Sequence, residues 1–194
     1  MMIFLSKKTL INLSIQTSAL ILLCISSISF ADTNSQDSKN TPVTSMKDFD
    51  LNRYLGRWYE IARLPMRFNP HCKTDIYSTY TLESDSKIKV DNQCIQTSGH
   101  TIHVVGTAVY DKNMPSKFLV SFLPTWADWL SFGKLRYSFS VIDTDYKTAL
   151  TGGSDHQYLW ILSRTPQIDP ATYKAYVEEA QREGFDTSQL IVNK

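Results

Sequence analysis

The sequence predicts an all-β fold: an eight-stranded antiparallel up-and-down β-barrel with a C-terminal α-helix packed on its outside. Three observations predict it. From Leu55 onward, short runs with period-two alternation follow one another at regular spacing, each bounded by turn residues, the pattern of an all-β sandwich or barrel. Consecutive runs are joined by short turns at Ser84-Asp85-Ser86, Asp111-Lys112-Asn113 and Asp143-Thr144-Asp145, so neighbours in sequence pair as a meander. Gly56-Arg57-Trp58 opens the first run and Arg164 ends the last. Glycine lets the backbone turn tightly beneath the tryptophan, and a guanidinium delivered from the last strand can lie across the indole face. First and last strands then meet, and a sheet closed on itself has no unpaired edges.

The chain begins with a segment that does not belong to this fold. Lys7 and Lys8 precede a mostly apolar stretch from Leu10 to Ile28, and Ser29-Phe30-Ala31 ends it with small residues at the recognition positions. Residues 1–31 therefore read as a signal peptide for export, cleaved after Ala31. Lipid attachment at Cys24 is the second reading, weakened because Leu23, not a small residue, precedes it. An uncleaved anchor is the third, disfavoured because Asn12, Ser14, Gln16, Thr17 and Ser18 interrupt the roughly twenty apolar residues that a span needs. Residues 32–47 are polar, lack aromatics and contain Pro42; they read as a flexible tether. Residues 48–194 form the folded domain.

Without residues 1–31 the chain keeps 18 basic against 19 acidic residues, a net charge of −1. Near-neutral charge argues against a nucleic-acid partner, because phosphate binding leans on clustered Lys and Arg. Two cysteines remain, Cys72 and Cys94. An even count in an exported chain favours a disulfide over metal ligation or thiol catalysis.

Strands are predicted at about 56–64, 75–83, 87–94, 102–111, 117–123, 135–142, 147–152 and 157–164. Alternation assigns their faces. Ile88, Val90 and Asn92 point inward in the third. Ile102, Val104, Gly106 and Ala108 share the inward face of the fourth, and its small residues leave space. Phe118, Val120 and Phe122 point inward in the fifth, as do Tyr137, Phe139 and Val141 in the sixth. After the eighth strand, Asp169 and Pro170 suit N-cap and N1 of a helix running to about Glu183, with Gly184 at C′ and Phe185 making the accompanying contact. Tyr173, Val177 and Ala180, with Tyr176 beside them, make one face apolar, and the outside of the barrel is its partner. Leu190-Ile191-Val192 can add a short closing strand.

These residues resemble a lipocalin. Gly56-x-Trp58 is similar to the family's first signature on strand one, Thr144-Asp145-Tyr146 to its second at the turn between strands six and seven, and Arg164 to its third on strand eight. Trp58-Tyr59-Glu60-Ile61-Ala62-Arg63, Tyr158-Leu159-Trp160-Ile161-Leu162-Ser163-Arg164-Thr165-Pro166 and Glu183-Gly184-Phe185-Asp186 resemble the bacterial lipocalins related to apolipoprotein D. The resemblance covers about residues 48–192. It departs at Leu23, since the bacterial outer-membrane group carries a lipid-modified cysteine, and at the long aromatic connection from Leu123 to Leu135.

The resemblance implies binding, transport or storage of a small hydrophobic ligand, a fatty acid or lysophospholipid, in the periplasm or cell envelope, with an outer-membrane lipoprotein the lesser alternative. The expected ligand-binding wall is Ala62, Tyr80, Val104, Phe118, Phe122, Tyr137, Phe139 and Trp160. Gly56, Trp58, Asp145, Tyr146 and Arg164 form the expected barrel floor. Glu60 and Asn92 are the polar inward candidates, read either as fixed hydrogen bonds in the wall or as contacts to a ligand head group. Cys72 and Cys94 fall at the mouth, surrounded by loops at 65–74, 95–101, 124–134 and 153–156. In the connection Pro124 to Gly133, one or two helical turns would place Trp126, Trp129 and Leu130 on one face, a contact for a bilayer surface or a lid over the pocket.

The chain lacks Gly-x-Ser-x-Gly, a P-loop and a dinucleotide fingerprint, so it is not expected to be an enzyme or to need a cofactor. His71, His100, His103 and His156 lack ligand spacing for a metal. Catalysis on a lipophilic substrate through Glu60, a pocket Tyr or a rim His is the alternative function, with haem binding a third.

Overall fold

The computed structural model describes residues 46–66, 72–127 and 134–193. The signal peptide and most of the tether assigned from sequence lie outside these residues. Met46, at the end of that tether, instead packs against the barrel interior, and its carbonyl accepts a hydrogen bond from Ser116 Oγ at 2.9 Å.

Eight antiparallel strands run in order: β1 Gly56–Arg63, β2 Cys72–Ser84, β3 Lys87–Gln96, β4 Thr101–Asp111, β5 Met114–Ser121, β6 Lys134–Ile142, β7 Thr148–Gly153 and β8 Leu159–Ser163. Each pairs with the next, and β1 closes the barrel by pairing with β8 on one side and β2 on the other. A ninth strand, β9 Ile191–Val192, pairs with β1 at Ala62 and Arg63. The lower half of β1 thus bonds β2 through Gly56–Tyr59, while its upper half bonds β9.

A short helix, α1 Leu51–Tyr54, precedes β1. The strand pattern gave no sign of it. Asp50 is its cap, the carboxylate accepting from the backbone N–H groups of Asn52 and Arg53 and satisfying donors that the first turn leaves orphaned. The long helix, α2 Pro170–Arg182, has the predicted ends: Asp169 Oδ1 accepts from Thr172 N at 2.9 Å and Pro170 opens the first turn. Gly184, at φ +89°, takes the left-handed C′ position, with Phe185 N–H donating back to the Ala180 carbonyl at 3.0 Å.

Two apolar layers result. The inner one fills the lower barrel with Phe49, Tyr54, Trp58, Tyr80, Ile88, Val90, Ala108, Phe118 and Val120 among others. The outer one joins Ile61, Ala62, Leu150, Leu159 and Ile161 to Tyr176, Ala180 and Phe185 of the helix side. The Tyr176 hydroxyl is buried without loss because it donates to the Thr148 carbonyl at 3.0 Å.

Bulges interrupt the alternation at two places that matter for the site. In β1 the register slips between Glu60 and Ala62, so Glu60 pairs with inward Leu162 whereas Ala62 pairs with outward Ile161. In β6 a slip between Phe139 and Val141 brings Ile142 into the inner layer. One extra residue reverses every face beyond it.

Candidate functional site

The lower end of the barrel is sealed by residues drawn from four segments. The Arg164 guanidinium lies over Trp58, its Cζ 3.8 Å from the ring centroid. From that position Nη1 donates to the Arg57 carbonyl at 2.8 Å, Nη2 to the Arg53 and Tyr54 carbonyls at 2.7 and 3.0 Å, and Nε to the Tyr146 carbonyl at 3.2 Å. One planar fork of five donors thereby ties α1, the start of β1 and the β6–β7 turn to the end of β8. Burial draws the Arg164 pKa below the ordinary arginine value, with Tyr54 pulling the other way. Gly56 sits at φ +96°, and a Cβ there would stand 3.3 Å from Arg164 Nη1, so the position needs both the conformation and the room. Trp58 is wholly buried, donating its indole N–H to the Tyr54 carbonyl at 2.7 Å. Tyr146, at φ +57°, is buried beneath, and its hydroxyl accepts from Asp50 N at 2.7 Å. Asp145 stands apart from this seal, exposed and paired with Lys147 at 2.9 Å; the hydrogen bond and charge of Lys147 hold its carboxyl below the usual range.

Above the seal lies a cavity of about 510 Å³, within the range of small-molecule sites. Tyr80, Val104, Phe122, Tyr137 and Trp160, five of the residues expected in the wall, are placed in its lining. Val104 is 41% exposed despite this, because the wall at that level borders open space rather than packed core. Two expected wall residues are elsewhere. Ala62 is turned outward by the β1 bulge and packs in the layer joined to α2. Phe118 points inward but sits too low; it stacks on Tyr137 and contacts Phe49, Tyr54 and Tyr110 in the packed floor. The backbone of Phe139 pairs with Thr151, while its side chain lies outside the described residues. The space expected over Gly106 is also taken: a Cβ there would meet the Phe122 ring at 2.5 Å, so the glycine seats an aromatic ring instead of opening the cavity.

Ile76, Leu135, Tyr158 and Leu162 complete much of the apolar wall and were not named from the sequence. The signal was available, since each stands two or four positions in sequence from Tyr80, Tyr137 or Trp160.

The mouth is marked by the disulfide Cys72–Cys94, with a Cα–Cα separation of 5.6 Å. Both cysteines line the upper cavity, together with Met66, Leu123 and Lys134. In the connection between β5 and β6, Thr125–Ala127 forms a single 3-10 turn. Trp126 is 79% exposed there; Trp129 and Leu130 lie outside the described residues.

A polar strip crosses the apolar wall on β1, β2 and β3. Ser78 pairs with Trp58 on one side and Asn92 on the other, and its hydroxyl donates to Asn92 Oδ1 at 2.7 Å. Glu60 is two positions from Trp58 on the same face. Its Oε1 accepts from Arg63 Nε at 3.0 Å and from Asn193 Nδ2 at 2.9 Å. Asn193 also bonds the backbone of Glu60 and Ile61, at 2.8 and 2.9 Å, so the residue following β9 locks the carboxylate.

Burial raises the Glu60 carboxyl above the usual carboxylate value, against the opposing pull of Asn193 and Arg63. A raised acid holds its proton more tightly in the folded state, so its contribution is complete below the unfolded pKa and is lost as pH rises through the folded one. Wild-type protein should therefore lose stability relative to Glu60→Gln as pH climbs from the ordinary carboxylate value through the raised one. Paired urea denaturations across that window measure it, and a constant difference would show that burial does not control this group.

A family model described as a lipocalin-like domain matches residues 49–194. The chain is 38% identical to temperature-induced lipocalin-1 of Arabidopsis thaliana over 156 residues, 75% of this chain and 78% of that one. It is 36% identical to outer membrane lipoprotein Blc of Escherichia coli K12 over 153 residues, 77% and 81% of the two chains, and 28% identical to apolipoprotein D of Bos taurus over 138 residues, 65% and 66%. Among solved structures, insecticyanin from the tobacco hornworm Manduca sexta superimposes with a TM-score of 0.58 at 22% identity, over 78% of this chain and 84% of its own. At that identity the likeness speaks for the fold.

Proposed function

Because the chain belongs to the lipocalin family, in its Blc and apolipoprotein D-like group, we propose that its barrel binds and carries a fatty acid or lysophospholipid in the bacterial cell envelope. The observation that carries this reading is the cavity: about 510 Å³ of space, sealed below by Trp58 and Arg164 and opening at the disulfide end. Each buried methylene contributes about 0.8 kcal/mol, so a sixteen-carbon chain offers roughly 10 kcal/mol gross before ordering costs are subtracted. Micromolar affinity then needs no special chemistry. An envelope location is supported by the name of the Escherichia coli relative and by the export signal read in residues 1–31.

Trp126, exposed beside the mouth, supports transfer at a lipid surface, since tryptophan favours the interface. Palmitate and lysophospholipid titrations, with native mass spectrometry of protein purified without added lipid, test carriage. Leu135→Trp, which fills the cavity, should weaken palmitate binding by about tenfold or more. Trp126→Ala should slow extraction from vesicles and leave affinity in solution unchanged. If palmitate and lysophospholipid both fail to bind wild-type protein, the proposal is wrong.

A further inference from the structure

The polar strip sets a condition on what the cavity holds. Glu60 and Asn92 both line it, yet each commits only part of its hydrogen-bonding capacity to the protein. The two partners of Glu60 fall on Oε1; among the described residues none falls on Oε2. Asn92 uses its carbonyl oxygen for Ser78, and its amide nitrogen has no partner among the described residues. The rest of the surrounding wall is Tyr, Trp, Leu, Ile and Val in the main.

Solvent in an empty cavity satisfies such groups. An unsubstituted acyl chain expels that solvent and returns nothing, leaving an acceptor and a donor unpaired in an apolar surrounding. The Glu60 charge does not call for a cation, because Arg63 already lies 3.0 Å from it. The unmet need is for a neutral group that both donates and accepts. A hydroxyl is the smallest such group: it donates to Glu60 Oε2 or accepts from the Asn92 amide.

We propose that the cavity selects a lipid bearing a hydroxyl on its buried part, a hydroxylated acyl chain, over the unsubstituted chain, and that Glu60 and Asn92 read that hydroxyl. The selection rests on the acyl-chain reading of the cavity. It also follows from the general asymmetry that a site built to bond a hydroxyl discriminates strongly against the analogue lacking it.

The test is a titration of wild-type protein with stearic acid and with a set of hydroxystearic acids carrying the hydroxyl at successive positions along the chain. One or more isomers should bind about tenfold tighter than stearate or better, the ratio expected of a hydrogen bond to a charged group. In Asn92→Leu and Glu60→Gln that ratio should shrink by several-fold in at least one variant. If stearate binds and no isomer binds more tightly, selection is overturned while carriage stands. If neither stearate nor any isomer binds, both are overturned. An advantage undiminished in both variants overturns the assignment to the strip. The wild-type series decides the first two outcomes even where a variant fails to fold.

Discussion

Arg164→Met should cost about 4 kcal/mol of folding stability, lowering Tm by roughly 10 °C, an effect read by calorimetry or denaturant unfolding. The guanidinium donates to four backbone carbonyls, those of Arg53, Tyr54, Arg57 and Tyr146. Methionine fills similar space and supplies no donor, so the four carbonyls, two of them in part-buried bonds, each lose a charged partner at about 1 kcal/mol or more. Loss of the cation over Trp58 removes roughly 0.5–2 kcal/mol more. Water reaches this half-buried site and returns part of the loss, which is why the expected total stays below the simple sum. Arg164→Lys should recover little, because one ammonium cannot reach four carbonyls spread around a planar fork. A variant within 1 kcal/mol of wild type would mean that the seal depends on the aromatic packing of Tyr54, Trp58 and Phe118 alone.

The second large effect is expected at the other end of the barrel. Reducing the disulfide, or replacing both cysteines by serine, should cost about 3 kcal/mol, the chain-entropy value for a loop of 22 residues. The bridge joins the start of β2 to β3, where β2 has bulges between Cys72 and Thr74 and between Thr74 and Tyr77. Each bulge leaves part of the ladder unpaired, so the covalent link supplies order where hydrogen bonds are few. Denaturation of oxidised and reduced protein measures the difference, and equal midpoints would refute it. The same comparison by ligand titration reports whether the mouth keeps its shape, because Cys72 and Cys94 both line the cavity.

Glu60 stands two residues beyond Trp58 on β1, its carboxylate is anchored by Asn193 beside β9, and it lines the cavity. In the proposed selection this one side chain serves both the wall's hydrogen bonding and the guest. The hydrogen bond to Asn193 and the ion pair with Arg63 fit the reading of Glu60 as a fixed group in the wall.

Much of the architecture was legible in the chain because it is written in short-range patterns. Period-two alternation marks the eight strands, polar turns order them into a meander, and Asp169, Pro170 and Gly184 bound α2 through contacts within one helical turn of each end. Gly56, Trp58 and Arg164 are far apart in sequence, yet their residue types announce a tight backbone turn, a buried indole and a cation that fits its face. The helix Leu51–Tyr54 escaped notice because it is a single turn, and so little sequence carries no periodicity.

What tertiary structure alone decided is which way particular side chains point and how deep they sit. Alternation assigns faces only while strand register is continuous, and register belongs to the pair of strands. The slip at Ile61 turned Ala62 outward, and the slip at Ser140 brought Ile142 inward, because neighbouring strands set those pairings. Depth along the barrel placed Phe118 in the floor, where inward direction alone made it a wall residue, and set the Phe122 ring against Gly106. The sequence by itself determined the strands, their order and the closing contact, since each follows from local chemistry; the position and polarity of the cavity came from long-range pairing, which no local pattern encodes.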